Sequence, residues 1–250
     1  MLATTIDGVI ARLDDIIAEC ITTPSRLGYF AALYRRMTMA VHDGMRRGVF
    51  EDNARIEALD VTFANRYLVT RDQFLAGELH GASWLQAYGA AQSDTHTVQQ
   101  QLLIGINPHI MIDLGVAAAR TCPGDTLAGL AKDFATINAV IFSLMPVVDA
   151  EIDALSPVTA LADKVIGPLK DKAIFDAMER GRTSSWDFAQ SLAHLSLPEQ
   201  ALAIGRRDQE ARLLGEVILL GGPITALVRR HESQDVAANI RQLNAPATAS

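Results

Sequence analysis

The stretch TVQQQLLIGINPHIMIDLGVAAART, residues 97–121, is apolar at almost every position, yet it carries Gln101, Gly105, His109 and Asp113 at intervals of four. An interval of four keeps side chains on one slowly rotating face of an α-helix, whereas a strand would send alternate residues to opposite faces. The stretch therefore predicts a core helix with a single polar stripe. Ser93, Asp94 or Thr95 can start it, and Cys122, Pro123 and Gly124 stop it.

The same period extends outward in both directions. Ile6, Val9, Ile10, Leu13, Ile16 and Ile17 recur with helical spacing. Thr23, Pro24 and Ser25 can open a second helix through Phe30, Leu33, Tyr34, Met37 and Val41, which ends between Gly44 and Gly48. Asp52 or Asn53 can cap a third, NARIEALDVTFANRYLVTRDQFL (53–75), whose apolar residues on several faces predict a buried middle. A short segment around Trp84 precedes the core helix. Beyond it, Asp125 or Thr126 can cap a long helix kinked at Pro146 and ending near Ser156 and Pro157. Further helices are expected at 158–166, 171–180, 183–195, 198–220 and 223–243. The alternating β-rich runs of strands are missing. The fold class is all-α: a single irregular bundle of roughly nine or ten helices over residues 1–243, with 244–250 as a disordered tail.

Composition supports a packed core. Of 250 residues 49% are hydrophobic and 20% charged, so apolar surface is ample and wholesale disorder is excluded. The net charge of −7, with scattered Lys and Arg, offers no phosphate-neutralising stripe, and nucleic acid is not expected as a partner. The same charge suits anionic headgroups poorly, and no apolar run is expected to approach the roughly 20 residues that cross a bilayer. No membrane partner is expected. Asp7, Arg12, Asp14 and Asp15 interrupt the start where a secretory leader needs an apolar core, which points to the cytoplasm. Cys20 and Cys122, far apart and outside any Cys/His cluster, read as free buried thiols.

Burying a polar group costs about 1–3 kcal/mol unless a partner satisfies it, so the stripe must face a polar network or a cavity. Pro108 removes a helical donor and pushes away the carbonyl of Ile104, and Gly105 leaves room beside His109. Together they predict a pocket wall. His109 can act as general base or acid, with Asp113 orienting its ring. Both could instead ligate a metal, with further ligands among Asp60, His80, Asp133 and Asp208, or form a satisfied core pair. Asp60, Ala64, Tyr67 and Arg71 share a second helix face with Asn65 and Arg66 nearby, and read as ion pairs or as the opposite wall. Tyr34, Arg35 and Arg36 leave the same choice open. His80 and Trp84 either line a pocket mouth or place a solvated His beside a core Trp. Arg182 with Trp186, and Arg207 with Asp208, read as helix-start salt bridges or caps, with anion binding as the alternative. No G-x-S-x-G, Walker, Rossmann, H-E-x-x-H or EF-hand pattern is present.

YRRMT (34–38), LDVTFANRYL (59–68), LLIGINPHIMIDLGVA (102–117) and RTSSWDFAQSL (182–192), with PGD (123–125), DFATIN (133–138) and RRD (206–208), are the segments that carry a family likeness. The chain resembles a large bacterial family of unknown function, domain of unknown function 5995, with an HINxDL signature, here HIMIDL. The resemblance implies one helical domain of about this length and no established reaction. It extends to His109, Asp113, Asp60, Asn65, Arg66, Tyr67 and Asn107. The chain departs from it at Gln101, where the family tends to have His, at Pro108 for Ala and at Met111 for Asn. Gln is a poor metal ligand beside imidazole and carboxylate but a good partner for a polar organic molecule.

The expected function is a small-molecule enzyme of specialised metabolism, a cyclase, isomerase or lyase working by acid–base chemistry without a cofactor. His109 and Asp113 would be catalytic, and Gln101, Gly105, Asn107, Asp60, Tyr67, Arg66, His80 and Trp84 would surround the substrate. Two alternatives stay open: a metal-dependent hydrolase with His109, Asp113, Asp60 and His80 as ligands, and a non-catalytic protein that carries an apolar ligand.

Overall fold

Local capping decides where the helices begin. The Thr5 hydroxyl accepts the Gly8 amide at the start of α1 (Ile6–Thr22), and the Asp52 carboxylate accepts the Arg55 amide at the start of α3 (Asn53–Ala76). Between them α2 (Leu27–Arg46) ends just before Gly48, whose φ of 68° turns the chain in the left-handed region that glycine tolerates. The core helix starts later than Ser93, Asp94 or Thr95. Thr97 is its N-cap, in a reciprocal box with Gln100, because that pairing satisfies two end donors at once.

The computed structural model describes residues 2–156, 176 and 179–245. After α4 (Ala82–Ala91) the core helix runs as α5 (Val98–Pro108), a π-helical turn (His109–Leu114) and α6 (Gly115–Thr121). A 3-10 turn (Gly124–Leu130) leads into α7 (Ala131–Phe142), and α8 (Met145–Ala154) follows. Pro146 sits in the first turn of α8, where its missing donor costs nothing, so it opens a new helix instead of kinking a long one. Later come α9 over 179–193, α10 (Leu197–Ile218), α11 (Pro223–His231) and α12 (Val236–Leu243). The helix expected over 223–243 is thus two helices. The helix expected at 158–166, most of that at 171–180 and the tail beyond 245 lie outside the described residues.

The chain is an all-helical bundle, and no strand occurs among the described residues. Helix α1 packs along α2, α12 closes over both, and the core helix is held by α2, α3, α4 and α10. The buried side chains form one continuous cluster from Ala3 to Leu243. At about 25 cal/mol per Å² of apolar surface removed from water, such burial is the main force holding the helices together.

The expectation that no apolar run approaches membrane-spanning length does not hold. Val98–Thr121 is a continuous helical span of 24 residues that holds an 18-residue window of mean hydropathy 1.6, and Gly124–Ala154, 31 residues long, holds such a window at 1.5. Both are long and apolar enough to cross a membrane by length and composition, and the bent pair Leu197–Ile218 and Pro223–His231, at 76°, passes the same test together. Isolated polar residues break the apolar run, yet the apolar residues around them keep the window mean high. In the first span 78% of the apolar window is buried inside the protein; in the second only 17% is.

Candidate functional site

HIMIDL is itself the π-helical turn. Pro108 lacks an amide hydrogen, and a widened turn directly after it lets the chain stay helical while changing which carbonyls find helical partners. The Ile110 carbonyl accepts the Ser185 hydroxyl from α9, and the Met111 carbonyl accepts Arg207 Nε from α10 at 2.9 Å. Side chains of the protein thus occupy carbonyls past the proline, and Arg207 is an anchor of the turn.

The turn presents His109 and Asp113 to the interior, 3% and 1% exposed. His109 Nδ1 lies 3.3 Å from Asp113 Oδ2. Trp84 Nε1 donates to the same oxygen at 3.1 Å, and Arg66 Nε donates to Oδ1 at 2.7 Å. Three donors from three helices therefore converge on one carboxylate. Burial pushes Asp113 up, but the Arg66 guanidinium, helped by His109, pulls harder, and the carboxyl lies below its usual range. Burial also pushes the His109 pKa down; Asp113 opposes this, and Arg66 and Arg182 reinforce it. The pair is a neutral imidazole beside an ionised carboxylate. The proton then sits on Nδ1, pointing at Asp113, and Nε2 is left with a bare lone pair.

Aromatic rings enclose that imidazole. Phe63 stacks on it with centroids 3.7 Å apart and planes 10° from parallel, and Tyr34 meets it edge-on at 4.5 Å. Phe30, Tyr67 and Trp84 stand at 5.5, 6.1 and 6.1 Å. Among the described residues His109 Nε2 is buried without a hydrogen-bond partner, and the buried Tyr34 hydroxyl has the Thr38 hydroxyl beside it without a well-aligned hydrogen bond. The histidine faces packed side chains in this conformation.

The structure separates the other site candidates. Arg66, Tyr67 and Trp84 join the dyad. Gly105 opens no space for a ligand: a Cβ there would meet the Phe30 ring at 2.8 Å, so the ring of α2 fills the notch. Asn107 Nδ2 donates to the Ala211 carbonyl of α10 at 2.6 Å. Gln101 Nε2 reaches the Ser93 and His96 carbonyls, in a cleft shared with Tyr29 and Glu232. His80 is exposed. Asp60 is buried with Oδ2 unpartnered, and burial, with Glu57 adding, raises its pKa to about 7.

Asp133 and Asp208 are helix caps. Asp133 accepts the Glu51 and Asp52 amides and Arg55 ahead of α3, and Asp208 accepts the Ala82 and Ser83 amides at α4. No group of three or more His, Cys, Asp or Glu side chains among the described residues is gathered to hold a metal ion. Sequence reasoning misses Phe30 and Phe63 as site residues because an apolar ring in a helix reads as core; Phe63, in LDVTFANRYL, is core and site together.

The chain belongs to the family of unknown function DUF5995, whose profile matches residues 6–221. No curated protein and no solved structure matches it.

Proposed function

We propose, taking membership of that uncharacterised family as the premise, that this chain is a cofactor-independent small-molecule enzyme that moves protons through His109. The observation that carries the reading is the bare Nε2: Asp113 fixes the imidazole from one side while the other nitrogen, buried, bonds to none of the described residues. An unsatisfied buried acceptor costs about 1–3 kcal/mol, and a proton-abstracting base is a reason to retain one. A lowered pKa keeps the ring in its basic form at neutral pH. The Tyr34 hydroxyl, with only the Thr38 hydroxyl beside it among the described residues, is the second group able to bond a substrate atom there. Substrate reaches Nε2 by displacing the Phe30, Tyr34 and Phe63 side chains, and the same rings packed on the imidazole shield it from water. Isomerisation, elimination or cyclisation that begins with loss of a carbon-bound proton is the chemistry that such a base serves, and the cytoplasm is its proposed location.

The test is solvent exchange. Wild-type protein is incubated in D2O with small carbonyl compounds bearing acidic α-hydrogens, and deuterium uptake is read by mass spectrometry. Uptake is expected with at least one compound, falling by about 100-fold or more in His109→Gln and less in Asp113→Asn. Uptake that survives in His109→Gln, or none with any compound, refutes the reading.

A further inference from the structure

Helix α9 lies against the π-helical turn that carries His109. The Ser185 hydroxyl bonds the Ile110 carbonyl, a Cβ on Gly181 would stand 3.5 Å from Ile110 Cγ2, and a Cβ on Gly115 would meet the Ser185 carbonyl at 2.9 Å. Arg182 lies one turn before Ser185 on the same buried face and is 2% exposed. Its Nε donates to Asn138 Oδ1, and its guanidinium carbon stands 5.4 Å from the centroid of the Phe134 ring. Nη2 is buried without a hydrogen-bond partner among the described residues.

Both of these partners, Asn138 and Phe134, are uncharged. Elsewhere in the interior Arg36 pairs with Glu151, Arg66 with Asp113 and Arg71 with Glu19. Among the described residues no carboxylate pairs with Arg182. A desolvated, unpaired charge is unfavourable, and burial pushes the Arg182 pKa down to about 10. Its field nevertheless reaches the His109 ring, where it opposes protonation. The first sequence reading of Arg182 is a helix-start salt bridge or cap, and no such salt bridge occurs among the described residues. The planar fork of a guanidinium matches a carboxylate or phosphate, and the free Nη2 is one prong of that fork.

We propose that Arg182 is the anion-binding group of this site and takes the carboxylate or phosphate of a small-molecule substrate beside His109. The proposal rests on reading His109 as the proton-moving base, and it adds the substrate class: an anionic compound. An incoming anion supplies the counter-charge that no described residue provides, and Asn138 holds the guanidinium in place to receive it.

The test is thermal unfolding of the full chain at constant ionic strength, titrated with inorganic phosphate in one arm and acetate in the other. The arm whose chemistry matches is expected to raise Tm by about 3 °C near ten times its half-saturating concentration. Arg182→Met should lose that rise while its anion-free Tm stays level or climbs, because an unpaired buried charge is gone. Arg182→Lys keeps the charge without the fork and should weaken the response several-fold; it decides the matter should Arg182→Met not fold. An equal rise in wild type and variants, or no rise with either anion, overturns the assignment. Deuterium uptake on the same proteins separates the two readings: an anion response without uptake removes His109 as base and leaves Arg182 standing, and uptake without an anion response does the reverse.

Discussion

The substitution Asp60→Asn should stabilise the protein, and by an amount that grows with pH. Asp60 sits inside α3 with Oδ2 bonded to nothing, and its pKa rises from 3.8 to about 7 on folding because burial disfavours its charged form, with Glu57 adding. The unfolded chain releases this proton near pH 4, and the folded chain holds it until about pH 7. Across that window the native state binds more protons than the unfolded one, so stability falls as pH rises and the deficit stays constant above about pH 7. At about 1.36 kcal/mol per pH unit, linkage puts the Asp60 penalty at about 1.5 kcal/mol near pH 5 and about 4 kcal/mol near pH 8. The amide side chain keeps the shape of the carboxyl and cannot ionise. Urea unfolding of both proteins at these two pH values should show the variant gaining on wild type by about 2–3 kcal/mol between them. An equal difference at both pH values would show that Asp60 does not titrate on unfolding, and the argument from burial would fail.

Arg66→Met should cost about 3–5 kcal/mol near pH 8, because it strips the charge partner from the buried Asp113 carboxylate. Since Arg66 helps hold that carboxyl below its usual range, the loss should shrink in acid as Asp113 protonates, which urea midpoints at two pH values would reveal. Gly105→Ala should cost about 1–3 kcal/mol by driving a methyl into Phe30, and the double variant with Phe30→Leu should recover part of it; additive losses in a double-mutant cycle would sink this account of the glycine.

Much of the fold was legible because helical periodicity is local. Val9, Leu13 and Ile16 recur at a spacing that only a helix turns toward one side, and all three are buried. The His109–Asp113 pair was legible for the same reason, since an i, i+4 interval inside an apolar helix brings two side chains together without help from elsewhere. Capping was legible in part. Asp208 is open to reading as a cap and caps α4, whereas Asp133, read only as a metal-ligand candidate, caps a helix distant in sequence, and a carboxylate carries no local mark telling a remote cap from a ligand.

Residue order alone is enough to say which face of each helix is apolar and that residues 97–121 run through the core, because side-chain period and hydrophobicity are properties of neighbours along the chain. What meets that core helix is settled by packing: Trp84 and Arg66 on Asp113, Phe30 in the notch at Gly105, Phe63 stacked on the imidazole, and Arg182 buried without a counter-ion among the described residues. These partners lie tens of residues apart in the chain and meet only through ridge-and-groove packing of separate helices. Whether a polar group is satisfied depends on the space across from it, and that space exists only after the helices have docked.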